Sequence, residues 1–324
     1  MNKKTKTIST LATIAITLII ISAIVFSLLP SQEEDAQPPT SLQTPTATET
    51  VSYLATGEQA LQDQDYQIAI QAYSEAIRVF PEDFYAYKQR SLAFKGLGFL
   101  EKALSDINTA LSLSGEDSEL LSLRADIYLL SEKYALAVQD YSRVIELDSS
   151  DLEAYNNRSI AYINLGELEN AISDLEHLIK VAPDYANTYI RRAIVYENMG
   201  NFEKALADYD TAIELAEEGF GEIYARRGLL YAQMEDNQQA LLDIERAINE
   251  GFEDENLYNE RGRIYSTEGE WQLAIDNFSK ALSLNPANSA ILFNRGLVYH
   301  SEAKYESAIK DYQSAIVLDP TNVT

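Results

Sequence analysis

Residues 152–185 read LEAYNNRSIAYINLGELENAISDLEHLIKVAPDY, and the pattern of this stretch recurs along most of the chain. An alanine at the position of Ala171 returns every 34 residues, except for one step of 35. The series is Ala69, Ala103, Ala137, Ala171, Ala205, Ala240, Ala274 and Ala308. A fixed period of about 20 to 50 residues indicates one supersecondary unit that is stacked many times.

Other positions of the unit keep the same phase as this alanine. A small residue lies twelve positions before it and usually an aromatic residue nine before it, as Ser159 and Tyr162 do in the quoted unit. A bulky apolar residue lies four positions after it, and another alanine usually lies seven after it. Spacings of three, four and seven place residues on one face of a helix. Small residues on that face allow two helices to approach closely, while the large ones fill the gaps beside them.

Glycine and proline mark the ends of the predicted helices. Glycine occurs five positions before the alanine in four units, and proline follows the second predicted helix in four units. The glycines are Gly98, Gly166, Gly200 and Gly269, and the prolines are Pro81, Pro183, Pro286 and Pro320. Glycine tolerates the positive φ at which helices often end, and proline cannot continue a helix. Each unit is therefore predicted to be two antiparallel helices joined by a tight turn.

This pattern resembles the tetratricopeptide repeat over eight units, which run in phase from Thr50 to Asn322. Tyrosine or leucine replaces the tryptophan that begins the family's motif. The predicted units are residues 50–83, 84–117, 118–151, 152–185, 186–219, 221–254, 255–288 and 289–322. The resemblance implies an all-α, right-handed superhelical solenoid of eight helix pairs. It also implies a concave face, lined by the first helix of each pair, that usually binds a peptide or protein segment.

The resemblance places candidate binding residues on that concave face. They are amide and basic side chains: Lys88, Gln89, Asn156, Asn157, Asn164, Arg191, Asn198, Arg226, Asn259, Arg263 and Asn294. Amides can hydrogen-bond the backbone of an extended peptide, and aliphatic neighbours such as Leu92 and Ile160 can contact its side chains. Arg191 and Arg226, in adjacent units, could hold an acidic group. The alternative is that each of these residues is ordinary solvated helix surface.

A second periodic signal pairs arginine with aspartate. Arginine lies thirteen positions before the alanine in seven units, at Arg90, Arg124, Arg158, Arg192, Arg227, Arg261 and Arg295. Aspartate lies three positions after the alanine in six units, at Asp106, Asp140, Asp174, Asp208, Asp243 and Asp311. The first unit has neither residue, and the seventh has Asn277 instead of the aspartate. We predict an arginine–aspartate ladder, within units or between neighbours, that fixes the register of stacking. Separate solvated charges are the alternative.

Three segments precede the repeats. Residues 1–7 are polar and contain three lysines, residues 8–29 contain no charge, and residues 30–49 form a linker rich in Pro, Thr, Ser and Gln. At about 1.5 Å per residue, a helix over residues 8–29 spans roughly 33 Å, close to a bilayer's hydrocarbon core. We predict an uncleaved transmembrane helix with a cytoplasmic N-terminus and repeats in the periplasm or at the cell surface. A cleaved signal peptide and a soluble core helix are the alternatives.

Composition restricts the partners and the chemistry. The formal net charge is −26, which disfavours nucleic acid as a partner because phosphate binding needs basic patches. Solubility explains the acidity, and the alternative is a basic partner or a bound divalent cation. The chain contains no cysteine, and His177 and His300 are its two histidines. Since no catalytic, phosphate-loop or metal-ligand motif occurs, we predict no catalytic site, no metal site and no cofactor.

The predicted function is that of a membrane-anchored scaffold that binds peptide or protein segments in the concave groove of its repeats. A cleaved, secreted or periplasmic repeat protein is one alternative, and a recognition subunit of an envelope-assembly or secretion complex is another. An enzyme in its own right is not expected. The final predicted helix, with Tyr305, Ile309, Tyr312 and Ile316, has no capping helix after it. Self-association through this uncapped end is a further hypothesis.

Overall fold

The computed structural model describes residues 47–216 and 219–320, and its regular elements in these ranges are sixteen α-helices. In chain order they are α1 (Ala47–Gln62), α2 (Tyr66–Val79), α3 (Phe84–Gly96), α4 (Leu100–Ser114), α5 (Ser118–Leu130), α6 (Tyr134–Leu147), α7 (Leu152–Leu165), α8 (Leu168–Val181), α9 (Ala186–Asn198), α10 (Phe202–Leu215), α11 (Phe220–Gln233), α12 (Asn237–Asn249), α13 (Glu255–Thr267), α14 (Trp271–Leu284), α15 (Ser289–Ser301) and α16 (Tyr305–Leu318). The predicted all-α class is thereby confirmed for these residues. None of the described helices is long and apolar enough to cross a bilayer, and the predicted anchor over residues 8–29 lies outside the described residues.

The helices form eight pairs, numbered 1 to 8 in chain order, that stack one on the next. Helix α1 packs on α2 through Ala60 and Tyr73, and from α2 onward each helix contacts the next helix in the chain. First helices of consecutive pairs also contact each other, as α3 does with α5, α5 with α7, α11 with α13 and α13 with α15. Within the described ranges, consecutive second helices make no comparable contact. The first helices therefore form the inner surface of the stack, whose right-handed sense stays a prediction.

The repeated small residue of each first helix accommodates a large side chain of the second. A Cβ added at Gly57 would lie 2.6 Å from Cζ of Tyr73, and one added at Gly296 would lie 2.6 Å from Cε1 of Tyr312. Both distances are shorter than carbon atoms tolerate, so any larger residue displaces the ring. The repeated alanine beside this contact, such as Ala69, is fully buried. The close helix approach predicted from the spacing is therefore confirmed.

Each turn inside a helix pair contains one residue with positive φ. Four of these residues are the predicted glycines, such as Gly166 with φ of 75°. The other four lie at the same phase and are not glycine: Gln64, Glu132, Glu235 and Ala303, with φ between 58° and 63°. A residue with a Cβ is strained there by about 1 kcal/mol. Helix packing thus imposes the turn, and glycine makes the turn easier without being required for it.

The predicted arginine–aspartate ladder forms inside the helix pairs. Arg192 donates from Nε and Nη2 to the two carboxylate oxygens of Asp208, at 2.8 and 2.7 Å. Five other arginines bond an aspartate with the same two-bond geometry: Arg90–Asp106, Arg124–Asp140, Arg158–Asp174, Arg227–Asp243 and Arg295–Asp311. In pair 7, Arg261 donates one bond to Asn277 at 2.6 Å. The aspartate side chains are at most 8% exposed, so the alternative of separate solvated charges is wrong.

The same arginines connect neighbouring helix pairs. Arg158 donates from Nη1 to Ser142 Oγ at 3.0 Å, and Ser142 belongs to the second helix of the preceding pair. Corresponding bonds run from Arg90 to Ser74, Arg124 to Asn108, Arg227 to Asp210 and Arg295 to Ser279. The Arg158 guanidinium also lies 5.5 Å from the ring centre of Tyr155 and 5.7 Å from that of Tyr162. Each such arginine therefore holds three helices in one register.

The last helix pair exposes apolar residues that earlier pairs cover. Ile275 and Leu282 of pair 7 are 5% and 9% exposed, whereas the corresponding Ile309 and Ile316 of pair 8 are 54% and 44% exposed. In pair 7 these residues pack in the cluster that includes side chains of pair 8. Self-association through the exposed face of α16 stays a prediction, and light scattering of the full chain at increasing concentration tests it.

We expect Arg192 to be energetically coupled to Asp208 and uncoupled from Asp174, because Asp174 pairs with Arg158. Removing one partner leaves a largely buried charge, which typically costs about 3–5 kcal/mol. In double-mutant cycles with alanine, measured by urea denaturation, the coupling energy of Arg192 and Asp208 should be about 1–3 kcal/mol. The cycle of Arg192 and Asp174 is the control, with an expected value near zero. Equal values from the two cycles would contradict the ladder.

We expect Glu132→Gly to raise the free energy of unfolding by about 0.5–1 kcal/mol, because relief of the left-handed strain outweighs the added freedom of the unfolded chain. The neighbouring Lys133 has φ of −89°, so Lys133→Gly relieves no strain and should destabilise the protein. Thermal denaturation of both variants beside the unaltered protein measures the difference. Destabilisation by Glu132→Gly would show that the turn is not strained.

Candidate functional site

A pocket of about 210 Å³ opens on the inner surface where helix pairs 2, 3 and 4 meet. It is lined by Lys88, Leu92 and Lys95 of α3, Glu119, Ser122, Leu123 and Asp126 of α5, Tyr141 of α6, and Asp151, Glu153, Ala154 and Asn157 at the start of α7. Two of the predicted binding residues, Lys88 and Asn157, are thereby brought to one place. These two residues lie about seventy positions apart in the sequence, and the stacking of three consecutive first helices brings them together.

Polar contacts across this pocket follow one spacing. Lys88 Nζ donates to Glu119 Oε1 at 2.6 Å, and Lys95 Nζ donates to Asp126 Oδ2 at 3.0 Å. Asn157 Nδ2 lies 3.4 Å from Asp126 Oδ1. Partners in all three contacts are 31 residues apart, which is three fewer than the repeat period. Sequence analysis missed Lys95, Glu119 and Asp126, because the spacing of 31 residues depends on the offset between consecutive first helices, which the structure supplies.

A buried tyrosine of α6 forms part of the pocket wall. The Tyr141 side chain is almost fully buried, and its hydroxyl donates to Asp126 Oδ1 at 2.7 Å. Burial raises the pKa of the Tyr141 hydroxyl well above its usual range, and the Asp126 charge raises it further. The phenol is therefore a permanent donor. Asp126 accepts from Tyr141, Lys95 and Asn157 together, so its carboxylate is held in position before any ligand arrives.

Equivalent tyrosines lie in pairs 1, 5 and 8, at Tyr73, Tyr209 and Tyr312. Tyr73 and Tyr209 are fully buried, and neither hydroxyl has a hydrogen-bond partner. The Tyr209 hydroxyl lies close enough to Glu197 and Arg226 for their charges to act on it. Burial raises the pKa of the Glu197 carboxyl, while Tyr209 and the Arg226 charge oppose that rise. Tyr141 thus donates a short hydrogen bond to a carboxylate, whereas the buried hydroxyls of Tyr73 and Tyr209 have no partner within hydrogen-bonding geometry.

Arg191 and Arg226 differ in their partners. The Nε atom of Arg191 is buried and has no hydrogen-bond partner. Burial lowers the pKa of this guanidinium, and Tyr185 weakly opposes the shift. Arg226 donates from Nε and Nη2 to Glu222 Oε1 of its own helix, at 3.1 and 3.0 Å. The Arg226 and Glu222 side chains are 41% and 56% exposed, so this pair is weak and open to exchange.

The remaining predicted residues lie along other first helices and do not join the pocket. Asn294 Nδ2 donates to Asn259 Oδ1 at 3.3 Å, which links pairs 7 and 8. The others make local contacts or lie at the surface: Asn156 donates to Asn157, Asn164 to its own helix backbone and Arg263 to Glu260, while Gln89 is half-buried and Asn198 is exposed. The chemistry of this surface is hydrogen bonding and charge pairing. Within the described ranges, no group of three or more His, Asp or Glu side chains could hold a metal ion.

Models of one family match most of the sequence. A model described as "Tetratricopeptide repeat" matches residues 54–117 and 88–152, and a second with that description matches 152–185 and 221–250. A third matches residues 186–218 and 289–322, and a model described as "TPR repeat" matches 262–302. No curated protein sequence matches the chain significantly.

Solved structures share the helical architecture. A tetratricopeptide repeat protein from Parabacteroides merdae has 23% identity and a TM-score of 0.59, with 78% of this chain and 99% of that chain covered. The C-terminal part of a TPR repeat-containing protein from Cytophaga hutchinsonii has 18% identity and a TM-score of 0.63, with 74% and 98% covered. MamA from Desulfovibrio magneticus has 18% identity and a TM-score of 0.51, with 53% and 97% covered. At these identities the likeness concerns the fold alone.

We expect Tyr141→Phe to destabilise the protein by about 1.5–3 kcal/mol, because it removes a buried hydrogen bond to a charged acceptor. Tyr73→Phe is the matched control, since its buried hydroxyl has no hydrogen-bond partner, and its effect should stay within about 0.5 kcal/mol. Phe278 already occupies the equivalent position in pair 7. Urea denaturation of both variants measures the difference, and equal losses would show that the Asp126 contact adds no stability.

Proposed function

Because the chain belongs to the tetratricopeptide repeat family, we propose that it is a membrane-anchored scaffold that binds extended protein segments on its inner surface. The observation that carries this proposal is the pocket across pairs 2 to 4, where Lys88, Asp126 and Asn157 converge. A ligand that lies across three first helices contacts all of these groups at once. An extended segment has this length, whereas a small molecule fills the pocket alone.

Amides supply the contacts that do not depend on ligand sequence. Asn156 and Asn157 lie side by side on α7, and Asn259 and Asn294 bond each other across pairs 7 and 8. Each amide offers two donors and an acceptor, so it can exchange a bond within the protein for one to a peptide backbone. Such exchange costs little energy, because the number of hydrogen bonds is unchanged.

Anchoring to a membrane rests on the uncharged segment over residues 8–29 and the lysines before it. In this proposal the N-terminus is cytoplasmic and the repeats face the periplasm or the cell exterior. In this proposal the residues between this segment and the first repeat keep the repeats near the bilayer surface. The scaffold then gathers protein partners beside the membrane. The net charge of −26 disfavours nucleic acid as a partner of this scaffold.

Photo-crosslinking in the native host tests where partners bind. A crosslinking amino acid is placed in the full-length chain at Asn164 or Asn198, which are on first helices, or at Lys180 or Glu214, which are exposed on second helices. We expect discrete crosslinked proteins from the first-helix sites and few from the second-helix sites, because partners occupy the inner surface. The same products from all four sites would overturn groove binding.

Fractionation of the same cells tests the anchor. The full-length chain should sediment with membranes and resist carbonate extraction, whereas a variant without residues 1–30 should not, because residues 8–29 span the bilayer. A soluble native protein that begins near Pro30 would instead establish a cleaved signal peptide. Crosslinked partners that belong to one enzyme complex would establish the recognition-subunit alternative.

A further inference from the structure

Polar contacts between consecutive first helices repeat at a spacing of 31 residues, and one position in this series has no cation. Lys88 Nζ donates to Glu119 Oε1 at 2.6 Å. The residues at the same two positions one repeat later are Ser122 and Glu153, and both line the pocket across pairs 2 to 4. Serine carries no charge and is too short to replace the lysine. Within the described residues, the Glu153 side chain makes neither an ion pair nor a hydrogen bond.

The charges around the pocket favour a cation as its ligand. The lining contains four carboxylates and two ammonium groups, so negative charge is in excess. Both ammonium groups, those of Lys88 and Lys95, already have carboxylate partners in Glu119 and Asp126. Asp126 also accepts from two further side chains. Glu153 is thus a carboxylate that can accept a charged donor without losing a bond within the protein.

The walls of the pocket suit the stem of a basic side chain. Leu123 and Ala154 are 7% and 2% exposed, Leu92 is half-buried, and all three line the same pocket as Glu153. The volume of about 210 Å³ lies below the range of about 300–1,000 Å³ that is typical of sites for drug-sized ligands. The pocket therefore fits one side chain with an apolar stem and a charged end, and lysine and arginine have this form.

We propose that this pocket binds the ammonium or guanidinium group of a lysine or arginine in the partner segment. The charged group donates to Glu153 in the way that Lys88 donates to Glu119. The aliphatic stem of the same side chain rests on Leu92 and Leu123. This cation subsite rests on the proposed function and specifies its class of ligand, a basic segment. The net charge of −26 favours a basic partner in general, and the subsite determines where its charge is placed.

Selection from random peptides tests the cation subsite without knowledge of the partner. The full chain in detergent and its Glu153→Gln and Glu169→Gln variants are each offered the same peptide library at physiological salt. Glu169 is the matched control, because both glutamates are the second residue of a helix in pair 4 and each substitution removes one negative charge. We expect the unaltered chain and Glu169→Gln to enrich a basic residue at a fixed position, and Glu153→Gln to lose this preference.

The outcomes separate the cation subsite from groove binding in general. Peptides without a basic residue at a fixed position, or the same peptides from the unaltered chain and from Glu153→Gln, would overturn the subsite and leave groove binding intact. An equal loss of preference in both variants would show that net charge alone attracts basic peptides, and it would overturn the subsite as well. No enrichment by the unaltered chain would overturn both the subsite and the proposed function.

A synthetic copy of the selected peptide tests the charged group directly. Norleucine in place of the selected basic residue keeps an aliphatic stem without the charge. It should weaken binding roughly tenfold or more by fluorescence anisotropy, because a charge-assisted hydrogen bond is lost. Equal binding by both peptides would contradict the subsite. Cadaverine, a free alkylamine of the same chemistry, should displace the peptide only in large excess, and displacement at equal concentration would overturn a side chain as the source of the cation.

Filling the gap provides a further variant. Ser122→Lys places an ammonium group where it can pair with Glu153, as Lys88 pairs with Glu119. We expect this variant to lose the preference for a basic residue while its Tm stays unchanged or rises slightly, because the new ion pair is partly solvated. A preference that survives Ser122→Lys would overturn the subsite. A much larger fall in Tm for Glu153→Gln than for Glu169→Gln would assign Glu153 a structural role and overturn it too.

Discussion

The stack depends on one interaction, which Arg158 shows clearly. Its largely buried guanidinium lies between two aromatic rings and bonds both a carboxylate of its own helix pair and a side chain of the preceding pair. Hydrophobic contacts bring the helices of this protein together without fixing how far each helix slides along the next, because apolar attraction has no direction. The two-bond contact between Arg158 and Asp174 does have direction, and the bond to Ser142 extends it across the interface. Five repetitions of this three-helix connection give the inner surface a regular geometry.

That regular geometry explains what the sequence predicted and what it did not. The helices, the buried alanines and the presence of an arginine–aspartate ladder all follow from periodicity within one unit, whereas the choice of Asp208 over Asp174 as the partner of Arg192 comes from the structure. The pocket depends on how one first helix is offset from the next, and periodicity within a unit does not contain that offset. Lys95 and Asp126 meet because the offset shifts contacts by three residues.

The roles of individual side chains on the inner surface were harder to assign, because they depend on whether each side chain already has an ion-pair or hydrogen-bond partner within the fold. Arg263 and Arg191 look alike in sequence, yet Arg263 pairs with Glu260 on its own helix and Arg191 pairs with nothing comparable. A glutamate three or four residues away on the same helix decides the difference. Where that neighbour is absent, as for Arg191, the Nε atom has no hydrogen-bond partner in the fold.

The exception in pair 7 affects how the array comes apart. Arg261 has one bond to the neutral Asn277 where six other arginines have two bonds to a carboxylate. In a linear array each unit is stabilised only by itself and its neighbours, so a weaker unit lowers the free energy of local opening around it. Pair 7 should therefore open locally at a lower free energy than pairs 2 to 6, and its amide protons should exchange faster than theirs.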